Sequence, residues 1–168
     1  STISKTLKID CSDNYDFNQL KTTKDTRGNF EMKIPSNWKK EMFVNENETR
    51  LYFADTTREL NKTFIIDIGL YFSKVKIDTD FMNSKKLQIE EGQNIELEKL
   101  SKINYKDTDG YVVQTKSSEL NLNKTGIEIY LNNKNDSYYI LKIDAYGMEN
   151  IESRICEALN LLEYFQIN

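Results

Sequence analysis

Two segments of this chain are apolar on both faces, and that property restricts its fold more than any other. In TFIIDIGLYFSKV, residues 63–75, period-two alternation puts Phe64, Ile66, Ile68, Leu70 and Phe72 on one side and Ile65, Asp67, Gly69 and Tyr71 on the other. In YYILKIDAY, residues 138–146, Tyr139, Leu141, Ile143 and Ala145 alternate with Tyr138, Ile140, Lys142, Asp144 and Tyr146. A strand that is apolar on both sides belongs in the middle of a sheet with material over each face. Two such strands call for a layered architecture.

The covering layers are legible as helices. DTDFMNSKKLQIEEG has Asp78 or Thr79 as N-cap and Gly92 as its stop. ENIESRICEALNLLEYFQI places Ile151, Ile155, Ala158, Leu159, Leu162 and Phe165 on one stripe behind Asn150 as N-cap. Further strands are expected in QLKTT, NFEMKIP, EMFVN, TRLYFAD, NIELEKLSKINY, GYVVQTKSSELN and GIEIYL, joined by turns at Gly28, at Asp109-Gly110 and at Asn-rich stretches. The predicted class is α+β: an antiparallel sheet covered by helices on both faces. Residues 1–18 lack a sustained period and read as a loosely attached arm, leaving 19–168 as a single α+β domain.

A chain of 168 residues with 10 Tyr and 8 Phe is too aromatic to be disordered and long enough to bury a core of its own. A net charge of −4 with interspersed lysines gives no field that attracts a polyanion, so nucleic acid is not an expected partner. No apolar run reaches the roughly 20 residues of a membrane-spanning helix. The first residue is Ser1, not Met, as in a trimmed product whose signal or lipid anchor lay upstream, or at a fragment boundary. Cys11 and Cys156 sit near opposite ends. They read as two free thiols; if paired, they would close a long loop and require an oxidising compartment.

There is no histidine. Ser-His-Asp and Cys-His nucleophiles, His-ligated zinc and the commonest neutral-pH base are therefore excluded. DTDG at 107–110 resembles part of a calcium-binding EF-hand loop, but the first and twelfth ligand positions would be Tyr105 and Lys116, so a hairpin turn is expected and no metal. The pairs Glu90-Glu91 and Asp78/Asp80 lie at helix ends, where capping explains them. The sequons at Asn47, Asn61, Asn123 and Asn135 mark turns. No enzymatic activity and no cofactor are expected.

The only proline and the only tryptophan lie three residues apart in EMKIPSNWKKE. Pro35 ends a strand, and Ser36-Asn37 turns Trp38 back over the sheet edge as a structural corner. GNFEMKIPSNWKKE, followed by Tyr52-Phe53-Ala54-Asp55, a long apolar strand, a helix, Gly110-Tyr111 and the closing LNLLEYFQI, resembles PsbP/Mog1-like domains over residues 19–168. The resemblance implies an α-β-α sandwich that serves as a non-catalytic binding or accessory domain with an unidentified protein partner. The Asn/Lys/Ile-rich composition suggests an exported bacterial relative, in the periplasm or on the outer surface. The alternative is a carrier of a small amphipathic ligand held between sheet and helix.

The candidate binding residues are Asp67, Tyr71, Tyr138, Lys142, Asp144 and Tyr146, the polar residues on the mixed faces of the two central strands. If those faces coincide, Asp67 and Lys142 would pair beneath a helix, ringed by tyrosine hydroxyls, as in a small-molecule site. The plainer alternative is that they reach a solvated rim.

Overall fold

The computed structural model describes residues 1–168. Along the chain come α1 (Thr2–Leu7), β1 (Leu20–Lys24), β2 (Phe30–Pro35), β3 (Lys39–Val44), β4 (Glu48–Ala54), a turn of 3-10 helix (Leu60–Lys62) and β5 (Phe64–Phe72). Then follow α2 (Thr79–Glu91), β6 (Ile95–Tyr105), β7 (Thr108–Glu119), β8 (Leu122–Asn133), β9 (Ser137–Tyr146), α3 (Ile151–Leu162) and β10 (Gln166–Ile167). The two doubly apolar segments are β5 and β9, and they pair with one another in the middle of an antiparallel seven-stranded sheet of order β3-β4-β5-β9-β8-β7-β6. A small second sheet, β1-β2-β10, is also antiparallel.

One face of the large sheet is thoroughly covered. Ile66, Ile68 and Leu70 of β5, Leu141 and Ile143 of β9 and Ile127 and Ile129 of β8 pack against Ile155, Leu159 and Leu162 of α3 and against Phe30, Met32 and Ile34 of β2. Each fully buried aliphatic or aromatic side chain contributes about 1.5–3 kcal/mol through removal of apolar surface from water. The other face is covered only in part. There α2 seats Met82 with Val113 and Tyr130, and Phe81 edge-on to Tyr130 and Tyr138, over one end of the sheet. The expected helices on both faces are thus provided only in part, by α3 over one face and α2 over one end of the other. The physical reason lies in α2 itself, of whose residues only Met82 is buried.

Three expectations need correction. Residues 1–18 do not hang loose: α1 buries Ile3 and Leu7 completely, and the Lys99 ammonium of β6 donates to the Leu7 carbonyl that would otherwise end the helix unpaired. Six residues are too few to display a helical period, so burial is supplied by partners distant in sequence. Cys11 and Cys156 are not free thiols but form a disulfide, with Cα atoms 5.3 Å apart across a separation of 145 residues. This ties the segment after α1 to the middle of α3. Finally, the β6–β7 turn is made by Lys106 and Asp107, both left-handed, while Asp109 and Gly110 lie within β7.

Pro35 does end β2, and the Trp38 amide donates to the Pro35 carbonyl at 3.0 Å. The indole stands 5.5 Å from the Phe64 ring, edge to face, under the Arg58 guanidinium at 5.7 Å. The stripe of the last helix stops at Leu162; Phe165 stays buried beyond it, and the chain turns to pair β10 with β2.

Candidate functional site

The register of four strands decides which polar side chains meet on the partly covered face. Asp67 of β5 lies opposite Lys142 of β9, and Tyr71 lies opposite Tyr138. On the outer side of β5, Tyr52 of β4 faces Asp67 and Glu48 faces Tyr71; beyond β9, Glu128 of β8 faces Lys142. Paired residues in an antiparallel sheet present their side chains to the same side. All six candidate residues therefore share one face, with Asp144 and Tyr146 farther along β9 toward its end.

The charges do not pair as anticipated. Asp67, 8 % exposed, takes a two-pronged contact from Arg50 of β4, with Nε donating to Oδ1 at 3.1 Å and Nη2 to Oδ2. The planar guanidinium matches both carboxylate oxygens, which a lysine ammonium cannot do. That hydrogen bond holds Arg50 more firmly in its charged form. Lys142 pairs instead with Glu128 at 3.4 Å, and the Tyr130 hydroxyl donates to the same carboxylate. Lys124 approaches Asp144 at 3.7 Å. Burial pushes the Asp144 carboxyl above its ordinary range, partly offset by Lys124 and Lys142.

Aromatic rings frame these pairs. Tyr71 and Tyr138 stack with centroids 5.2 Å apart, and the Arg50 guanidinium lies 5.0 Å from the Tyr52 ring and 5.8 Å from that of Tyr71. Tyr71 folds back over Gly69: a Cβ on Gly69 would sit 2.6 Å from its Cε2, so the strand needs glycine for the ring to lie there. Burial pushes the Tyr71 hydroxyl up to about 12. Neither Asp67 nor Lys142 lies beneath a helix, since Phe81 of α2 reaches only as far as Tyr130 and Tyr138.

Arg50, Glu128 and Tyr52 belong to this constellation although they were not singled out from the sequence. Alternation within TRLYFAD already sets Arg50 and Tyr52 against Leu51 and Phe53. Only the pairing of β4 with β5 puts Arg50 beside Asp67.

Two of the cavities that border the large sheet bear on ligand binding. One of about 690 Å³, where α2 meets β6, is lined by Asn83, Lys86, Glu90, Glu96 and Lys99 with a few aliphatic residues. It is a polar cleft, unlike the apolar chamber that a carrier of amphipathic ligands requires. The other, about 500 Å³, lies at β3 and β4 and includes Phe43 and Tyr52. No helix is long and apolar enough to cross a membrane.

The antiparallel sheet with α3 and β2 on its covered face defines an α+β protein with the PsbP/Mog1-like fold. Its likeness to solved structures is spread over nearly the whole chain. Cyanobacterial PsbP (CyanoP) from Synechocystis is 12% identical with a TM-score of 0.54, covering 93% of this chain and 96% of its own. LpqN of Mycobacterium tuberculosis, involved in cell envelope biogenesis, is 11% identical with a TM-score of 0.55, covering 89% and 91%. PA94 of Pseudomonas aeruginosa, a protein of unknown function, is 10% identical with a TM-score of 0.55, covering 86% and 94%. No family model and no curated protein matches the sequence.

Proposed function

We propose that this chain is a non-catalytic accessory domain of the bacterial cell envelope, and that it docks a folded protein partner on the open half of its large sheet. The observation that carries this reading is the lattice of Arg50–Asp67 and Lys142–Glu128 pairs set among Tyr52, Tyr71 and Tyr138. Tyrosine and arginine are the side chains that most often dominate binding energy at protein interfaces, and charges already paired lose less solvation on docking than isolated ones. The face is broad and open, which suits a protein surface better than a small molecule. The disulfide supports an oxidising compartment. The likeness to LpqN, which is involved in cell envelope biogenesis, agrees with placement outside the cytoplasm.

The test is site-specific photo-crosslinking in native envelope extract, with the probe at position 142 or, as control, at Leu87 on α2, followed by mass spectrometry for proteins and small molecules. A protein labelled from position 142 alone, and lost in Arg50→Ala, is the expected outcome. Equal labelling from both positions, or capture of a small molecule alone, would reject the reading.

A further inference from the structure

Away from the open sheet face, the start of α3 carries a buried positive charge with no counterion. Arg154 is only 9 % exposed, and its Nε and Nη2 are both buried without a hydrogen-bond partner. The neighbouring Arg58 has two carboxylates, Asp55 and Glu157, whereas Arg154 takes part in no ion pair. Burial and the like charge of Arg58 accordingly favour loss of the Arg154 proton. An arginine does not give up its proton in practice, so the unmet need is for an anion. Leaving such a charge uncompensated is among the costlier features a fold can hold.

The start of the helix beside it favours negative charge. Asn150, the N-cap of α3, is left-handed (φ 55) and its side chain makes no capping bond, which leaves the first amides of the helix facing outward with the positive end of its dipole. Arg154 lines a cavity of about 420 Å³ together with Asn61, Lys62, Met148, Glu149 and Asn150. Next to Arg154 the backbone packs closely at Gly147 (φ 93): a Cβ there would fall 2.1 Å from the Asn61 carbonyl oxygen and 3.0 Å from Arg154 Nη2, and the Gly147 amide donates to the Asn123 carbonyl at 2.8 Å. Two carboxylates are close to this site, Glu149 in the lining and Glu152 in the first turn of α3. Both are exposed and neither contacts Arg154.

We infer that the cavity at the N-terminus of α3 binds a phosphate-class oxyanion, held by the Arg154 guanidinium with the positive end of the helix dipole beside it. A guanidinium matches two oxygens of a tetrahedral anion, and the field at a helix N-terminus favours its negative charge. Such a group is available as free phosphate, as a phosphorylated small molecule or as a phospholipid headgroup.

Thermal unfolding in inorganic phosphate against chloride at matched ionic strength reads the site directly. The wild-type chain should gain about 3–6 °C in Tm at ten times the dissociation constant, with shifts in the Ile151, Glu152 and Ser153 amide resonances. Arg154→Met removes the buried charge without removing the stem, so it should raise Tm in chloride and abolish the phosphate response. Retention of that response in Arg154→Met, or its absence from the wild type, overturns the proposal. Glu149→Gln addresses an internal counterion: a stronger phosphate response supports the site, and a lower Tm in chloride with no response overturns it. Glycerol phosphate and anionic vesicles, each run against the same variants, assign the source of the anion by whichever reproduces the Arg154-dependent shift.

Discussion

Asp67 and Lys142 stand directly opposite one another on β5 and β9, yet neither takes the other as its ion-pair partner. Asp67 is claimed by Arg50 and Lys142 by Glu128, so the central sheet carries two separate pairs side by side. A double-mutant cycle on Arg50 and Asp67 should give a coupling of about 1–2 kcal/mol, whereas the same cycle on Asp67 and Lys142 should give under about 0.5 kcal/mol. Equal couplings would show that Asp67 is shared.

The disulfide closes a loop spanning nearly the whole chain, and such loops are stabilised by about 4–5 kcal/mol in the chain-entropy view. Urea denaturation with and without reductant should reveal a loss of that order, and Cys156→Ser should reproduce it. Because Ile3 and Leu7 pack close to the Cys11 attachment, amide exchange in α1 should accelerate first in the reduced protein.

Trp38 is half-buried between Phe64 and Arg58, with one edge in solvent. Trp38→Ala should cost about 2 kcal/mol, less than a fully buried tryptophan would. The denaturant midpoint measures it, and an unchanged midpoint would reassign Trp38 to binding.

Gly69→Ala tests the open face apart from the core. The new methyl group collides with the Tyr71 ring, which is free to swing outward, so stability should change by under about 1 kcal/mol. Released from burial, the Tyr71 hydroxyl should ionise nearer the ordinary value of about 10 than its present value of about 12. Ultraviolet titration of tyrosinate would register the difference.

Asp144 has a raised folded-state pKa because burial disfavours its charge. The folded protein therefore takes up this proton more readily than the unfolded chain, and the contribution to stability is complete below the unfolded value of 3.8 and lost as pH rises through the folded value. Asp144→Asn should consequently raise Tm at neutral pH and flatten its dependence between that value and neutrality. Asp55, held low by Thr57 and Arg58 against the burial that pushes it up, acts in the opposite sense, and Asp55→Asn should lower Tm at neutral pH.

Strand character in β5 and β9, a helix running from a cap at Asp78 or Thr79 to Gly92, and the apolar stripe of α3 as far as Leu162 were determined by sequence alone, because each rests on spacings of two to four residues that local chemistry sets. Alternation also divided Asp67 and Tyr71 from Ile66 and Ile68. It could not say which residue would stand opposite Asp67, since register joins β5 to β9 across some seventy residues and depends on how both strands bury their other faces. The same limit explains Arg50, whose partner lies on the next strand, and the Cys11–Cys156 bond, which leaves no local trace. It explains α1 as well: six residues cannot show a period, and Ile3 and Leu7 become core only once β6 and α3 are folded beside them. Arg154 completes the pattern. Its place in an amphipathic helix was plain from the sequence, but the lack of any carboxylate beside its guanidinium was decided by the packing of Asn61 and Gly147 around the helix start.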